Sequence, residues 1–148
     1  RDITLLALGT IRAETAGFVP IDEGISKYNT DPGQHPFNRY DHMSALGNQG
    51  PPDGERYRGR GFIQLTGRAN YRTYGTRLGV PLENQPDRAN DPEIAAGVLA
   101  AFLADKRTAA KYAIFGNDLA FARKLVNGGS HGLERFQVAF EKGASLLA

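Results

Sequence analysis

Arg56-Tyr57-Arg58-Gly59-Arg60-Gly61-Phe62-Ile63-Gln64-Leu65-Thr66-Gly67-Arg68-Ala69-Asn70-Tyr71 is the stretch on which the fold turns. Taken alone, it fits two plain explanations. Arg58 to Leu65 is a near miss to the first RNA-contacting motif of RRM domains, but Arg60 and Leu65 stand where that motif needs stacking aromatics. A glycine-rich turn with arginines for solubility also fits, because three basic residues in five usually mark a solvated loop. Within the segment, Phe62-Ile63-Gln64-Leu65 reads as a short strand. Thr66 reads as the cap of a helix running to about Leu78, which Gly79 and Pro81 stop.

Upstream, residues 2 to 16 carry Ile3, Leu6, Ala7 and Ile11 at helical spacing, with Asp2 near the positive end. Gly17 and Pro20 break that helix. From Phe18 to Gly61 the chain is rich in Gly, Pro, Asn and Asp and has no sustained periodicity. Irregular segments of that length in a compact domain are usually functional. Downstream, Asp91 and Pro92 open a helix with Ile94, Val98, Leu99, Phe102 and Leu103 on its apolar side. Asn117 or Asp118 opens another through Leu125 and Val126, closed by Gly128-Gly129. A last helix uses Leu133, Phe136, Phe140, Ala144 and Leu147. The expected architecture is mostly α, a single domain over residues 1–148 with a long loop-rich insert. A four-stranded RRM sheet has no place in it.

The composition agrees with a folded domain: 148 residues, 41% hydrophobic and 23% charged, are ordinary values that exclude intrinsic disorder. Eighteen Lys and Arg against 16 acids leave a net charge of +2, too little to imply nucleic-acid binding. There is no cysteine, so disulfides, thiolate metal sites and cysteine nucleophiles are excluded. His35, His42 and His131 lack metal-ligand spacing and read as surface or loop residues. No apolar run approaches the length of a membrane span. The chain opens on Arg1 rather than Met, as a trimmed product would.

Glu14 continues the apolar stripe of the first helix, three residues after Ile11 and seven after Ala7. A carboxyl group there is partly desolvated, which favours its protonated form and suits a general acid. Helix termination with Glu14 turned to solvent is the plain alternative. Glu23 follows on a different element, so the two carboxyls could serve as a protonated and an ionised pair. Asp22 is an adjacent rival for the second role, and Asp31, Asp41, Asp53 and Glu55 populate the same region.

Four stretches, in order, carry a family resemblance. Gly59-Arg60-Gly61-Phe62-Ile63-Gln64-Leu65-Thr66-Gly67, followed by Asn70-Tyr71, resembles the signature segment of family 19 chitinases and related phage endolysins. Ala13-Glu14-Thr15-Ala16-Gly17-Phe18 resembles that family's acid-bearing helix end. Leu46-Gly47-Asn48, ahead of Pro52-Asp53-Gly54, resembles the lead-in of bacterial and phage members. Leu125-Val126-Asn127-Gly128-Gly129 resembles the late Asn-Gly-Gly element.

The resemblance implies a lysozyme-like α domain with minor β and a cleft. It implies an inverting glycoside hydrolase acting on β-1,4 links between N-acetylated hexosamines. Glu14 would be the general acid, Glu23 the general base, and Thr66 the hydroxyl that orients the attacking water. Gln64, Asn70 and Asn127 would hydrogen-bond sugar, and Tyr57 and Tyr71 would offer flat faces to pyranose rings. Thr66 and Asn70, four residues apart, would share a helix face. Arg135 would match an arginine that pairs with an acid near the base. Neither metal nor organic cofactor is implied, and the expected partner is a polysaccharide, peptidoglycan or chitin. A monomer acting on cell-wall or extracellular glycan is expected, with no nucleic acid and no membrane insertion. The absence of cysteine and the compact loops resemble the bacterial and phage branch, which favours peptidoglycan. Departures from the pattern are His42 after Tyr40-Asp41, where an Arg is common, and His131, where an Asn is frequent. A catalytically silent glycan-binding module of the same fold is the alternative of a different class.

Overall fold

The computed structural model describes residues 2–15, 17–127 and 132–146. Two compact units divide the chain, 1–19 with 99–148, and 20–98. The boundary falls within a helix, α4.

The first unit is helical. It holds α1 (Asp2–Thr15), the second half of α4 (Pro92–Asp105), α5 (Arg107–Phe115), α6 (Leu119–Asn127) and α7 (Leu133–Leu146). Its core is built from Leu5, Leu6, Ala13, Leu99, Leu103, Ala110, Ala113, Leu119, Ala122, Phe136 and Phe140. Phe136 and Phe140 stack with centroids 6.1 Å apart, and the Phe136 ring lies against Gly9 of α1. Removing a buried ring of that kind costs about 3–5 kcal/mol. The buried face of α1 is Leu5, Leu6, Gly9, Thr10 and Ala13, one step out of phase with the expected stripe. Gly9 and Thr10 are small or polar, so hydropathy underweights the positions that pack closest.

Asp118 opens α6 as expected: its Oδ1 accepts the Phe121 N–H at 2.8 Å and its carbonyl accepts that of Ala122 at 3.0 Å. Helix α5 is absent from the sequence-based expectation. It buries only Ala110 and Ala113 and turns Tyr112 and Phe115 to solvent, so no stripe of large apolar residues announces it. Gly128-Gly129, His131, Leu147 and the side chain of Asn127 lie outside the described residues.

The second unit is an irregular segment wrapped around a small sheet. Strand β1 (Ile21–Asp22) pairs antiparallel with β2 (Arg60–Gly61), with Ile21 opposite Gly61 and Asp22 opposite Arg60. Around it lie 3₁₀ turns at Asn38–Tyr40, Ser44–Leu46 and Pro86–Asn90, the short helix α2 (Asp53–Arg56), α3 (Arg68–Leu78) and the start of α4. A long segment with little regular structure must satisfy its backbone by other means. Here Asn and Asp side chains do it. Asn48 donates to the Tyr40 carbonyl at 2.8 Å, Asp53 accepts the Gln49 N–H at 2.8 Å, and Asp41 accepts that of Gly54 at 2.9 Å.

Two local expectations are corrected. Phe62–Leu65 is not a strand: Phe62, Ile63 and Gln64 form a tight turn that brings Leu65 back to bridge Arg60. Thr66 is not the cap of α3. The helix starts at Arg68 behind Gly67, and the Arg68 N–H is capped by Asn48 Oδ1 at 2.9 Å, from 20 residues upstream. Gly67, at φ +91°, is required there, because a side-chain carbon would fall 2.8 Å from the Leu46 carbonyl oxygen. Gly79, in the left-handed region, ends α3 as expected.

Candidate active site

Glu14, Asn127 and Arg135 belong to the first unit; Glu23, Tyr57, Gln64, Thr66, Asn70 and Tyr71 belong to the second.

In the first unit Glu14 is the penultimate residue of α1, four positions beyond the buried Thr10, and its side chain is 15% exposed. Its Oε1 accepts from Arg123 Nη2 at 2.6 Å, and the Arg123 side chain is fully buried. A guanidinium without solvent beside a nearly buried carboxylate fixes that carboxylate in position. Arg123 was not anticipated. Its signal is positional: with Leu119, Ala122 and Val126 it falls on one face of α6, an arginine where an apolar residue is expected. The chain leading into α7 approaches the same helix end, since a carbon on Gly132 would lie 3.2 Å from Ala13. Arg135 is exposed on α7, where it lines an open groove of about 630 Å³ with Leu8, Arg12 and Val138.

In the second unit the sheet register sets Glu23. The ladder continues one step past β1, with Glu23 N–H bonded to the Gly59 carbonyl at 2.8 Å. The carboxylate then receives three donors: Tyr40 OH at 2.8 Å and Asn29 Nδ2 at 3.0 Å on Oε1, and the Gly59 N–H at 3.0 Å on Oε2. Burial first, and the bond to Glu23 second, raise the Tyr40 phenol above its usual range, so it remains a donor. Asn29 is itself buried and also holds the Gly24 carbonyl at 2.9 Å. Tyr40 and Asn29 lie 17 and 6 residues from Glu23, at spacings that carry no sequence signal.

Gln64 also comes close to Gly59. A carbon added to Gly59 would fall 2.8 Å from Gln64 Oε1 and 3.1 Å from Glu23 Oε2, so the missing side chain at 59 is what lets the two approach. Gln64 occupies the left-handed region at φ +54°, a conformation costing about 1–2 kcal/mol for a residue with a side chain. Its amide offsets that by donating to the Ile21 carbonyl of β1 at 3.1 Å. Thr66 Oγ1 donates to the Gln64 carbonyl at 2.9 Å, and Asn70 Nδ2 donates to the Thr66 carbonyl at 2.7 Å. Thr66 and Asn70 are thus neighbours, though through a helix start and not along one helix face.

Tyr57 and Tyr71 do not join this group. Their side chains are 1% and 0% exposed, with ring centroids 5.4 Å apart. The hydroxyl of Tyr71 donates to the Arg58 carbonyl at 2.7 Å, and burial pushes its phenol up to about 12. They are core residues, with no face left for a pyranose ring. Arg60 is also buried, 2% exposed, against the expectation of a solvated loop. Its guanidinium bonds the Arg56 carbonyl, Tyr71 OH and Asp87, and its Nε lies 3.1 Å from Asp22. An arginine so placed cannot serve an RNA strand.

The rival carboxylates, Glu55 apart, are accounted for by cations or by burial. Asp22 is held by Arg58 and Arg60 at 3.2 and 3.1 Å, and Asp31 by Arg39 at 2.6 Å. Asp41 is buried against His35 at 2.6 Å, which gives that histidine a structural role. Asp53 takes two bonds from Arg68, at 2.7 and 2.8 Å. Glu55 is exposed. Glu23, by contrast, has three uncharged donors and neither an arginine nor a lysine partner.

Seven helices, a two-stranded sheet and a long stitched loop among the described residues define the mostly helical, lysozyme-like class with minor β. Among solved structures the chain is similar to chitinase C from Streptomyces griseus HUT6037, with a TM-score of 0.65 and 20% identity. A glutamate-to-glutamine variant of chitinase C matches equally, at TM-score 0.65 and 20% identity. Each likeness covers 99% of this chain and 61% of the other. That likeness of fold agrees with the family 19 resemblance of the motifs. No family model and no curated protein sequence matches the chain.

Proposed function

We propose that this chain is the catalytic domain of an inverting glycoside hydrolase that cuts β-1,4 bonds between N-acetylated hexosamines. The observation that carries the proposal is the setting of Glu23. It is aimed by Tyr40, Asn29 and the Gly59 N–H, all neutral, with Gln64 and Thr66 on the adjoining turn. A base must be ionised and aimed before it accepts a proton, and these donors aim the carboxylate without neutralising its charge. Glu14 supplies the acid. It is nearly buried at a helix end and paired with Arg123 at rest, so it takes up a proton before it donates one.

In the reaction Glu14 gives its proton to the glycosidic oxygen as the bond to the anomeric carbon breaks. Water attacks that carbon from the opposite face, and Glu23 takes the water's proton. Thr66 orients that water, and Gln64, Asn70 and Asn127 bond the sugar. Protons balance: one leaves Glu14, one arrives at Glu23, and solvent exchange resets both. An inverting pair needs a carboxyl separation of about 6.5–9.5 Å to admit the water. No step calls for a metal or cofactor. The substrate is a cell-wall or extracellular polysaccharide, with peptidoglycan favoured over chitin by the cysteine-free, compact-loop character of the chain.

The test is the anomer first released from a chitin or wall oligosaccharide, read by NMR. Inverting cleavage gives the α-anomer, and a β-anomer product would refute the mechanism. Glu14→Gln should abolish turnover while leaving oligosaccharide binding. Loss of turbidity of bacterial walls, set against sugar release from chitin, ranks the two polymers. Activity on chitin alone would remove the preference for peptidoglycan.

A further inference from the structure

With Tyr57 and Tyr71 in the core, an aromatic face near Glu23 must come from elsewhere, and the loop after Glu23 supplies one. Asn29 ties that loop to the carboxylate: its Nδ2 bonds Glu23 Oε1 at 3.0 Å and the Gly24 carbonyl at 2.9 Å. Its Oδ1 takes the Ser26 N–H and the Thr30 hydroxyl, both at 2.9 Å. The Tyr28 N–H bonds Ser26 Oγ at 3.3 Å, which completes a closed turn. On the outside of that turn Tyr28 is 76% exposed, and Lys27 Nζ stands 5.2 Å from its ring centroid. Chain geometry through Asn29 keeps the Tyr28 Cα within about 10 Å of Glu23 Oε1, the reach of a disaccharide.

The charge is as informative as the ring. Arg39, Arg58, Arg60, Arg68, Arg72 and Arg88 of this unit all pair with carboxylates. Among the described residues Lys27 has the Tyr28 ring and no carboxylate. A cation resting on an aromatic face is positioned without being neutralised.

We propose that Lys27 and Tyr28 form a subsite beside Glu23 for a sugar bearing a carboxylate substituent, such as the lactyl ether of N-acetylmuramic acid. The ring covers the apolar face of the pyranose, and the ammonium pairs with the carboxylate. The inference rests on the glycan-hydrolase reading and names the substrate class of that same site. It selects anionic wall glycan over neutral chitin by charge.

Binding, measured apart from turnover, tests it. Calorimetric Kd values are taken in Glu14→Gln, and again in Glu23→Gln, for a peptide-free wall tetrasaccharide and for the N-acetylglucosamine tetramer. The wall sugar should bind more tightly. Lys27→Gln should shrink that preference about two- to fivefold, as expected for one exposed ion pair. Lys27→Glu should shrink it further, Lys27→Arg should restore it, and Tyr28→Ala should weaken both ligands. A preference unmoved by Lys27→Gln and Lys27→Glu, or no binding of either sugar, overturns the subsite. Absent turnover in the parent chain with the preference intact would instead sink the hydrolase reading and leave the subsite standing.

Discussion

Replacing Arg123 by Met tests whether the Glu14 carboxylate is held by a buried ion pair. Arg123 is fully buried and Glu14 is 15% exposed, with 2.6 Å between Nη2 and Oε1. Removing one partner of a buried pair leaves the other charge uncompensated and costs about 3–5 kcal/mol. Water can reach part of Glu14, so the lower end, about 3 kcal/mol, is expected. At about 2–4 °C per kcal/mol for a chain of this size, the melting temperature should fall by about 6–12 °C. Urea unfolding at unchanged m-value, beside calorimetry, measures the loss. Glu14→Gln keeps an acceptor for the guanidinium and should cost less, about 1–2 kcal/mol. The double variant Arg123→Met with Glu14→Leu removes both charges and should recover much of the stability. If Arg123→Met unfolds within about 0.5 kcal/mol of the parent, or the two changes simply add, the pair does not hold Glu14 and the argument fails.

Tyr40→Phe deletes one of three donors to Glu23; a bond to a charged group is worth about 1.5–3 kcal/mol, so kcat should fall about 10- to 100-fold with little change in fold. Parental kcat would show that the phenol does not position Glu23 for the proposed reaction. Gly59→Ala places a carbon 2.8 Å from Gln64 Oε1, 3.1 Å from Glu23 Oε2 and 3.2 Å from Glu23 Cβ, so both side chains must shift. Activity should drop at least about tenfold through misplacement of those groups, while the melting temperature barely moves. The reverse pattern would make Gly59 a folding residue only. Asp53 is held below the usual carboxylate range, chiefly by Arg68 and also by the Gln49 N–H. Its contribution to stability is therefore present above about pH 4 and lost as pH falls through the depressed folded value. Urea midpoints across the acid range should show that loss, and Asp53→Asn should flatten it.

The helical class was legible in the sequence because helices announce themselves locally. Asp91-Pro92, Asp118 and Gly79 act on backbone groups within a turn of themselves, so α3, α4 and α6 begin or end about where those residues stand. Where the local signal is weak, reading fails: α5 buries only two alanines, and the buried face of α1 includes a glycine, packed on Phe136, and a threonine. In the Gly59–Gly67 phrase the local expectations missed, since its strand is two residues earlier and its helix cap comes from Asn48.

The sequence by itself determined which residues stand as candidates: Glu14, Glu23, Gln64 and Thr66 are the groups that the motifs pick out. Only the tertiary structure decided what each can touch. It put Tyr57, Tyr71 and Arg60 out of reach of a ligand, and it brought Tyr40, Asn29 and the Gly59 N–H to one carboxylate and Arg123 to another. The physical reason is that helix and turn preferences act over a few residues, whereas hydrogen bonds and ion pairs join whatever the folded chain brings within about 3 Å. A tyrosine 17 positions from Glu23 and an arginine 109 positions from Glu14 leave no trace in spacing.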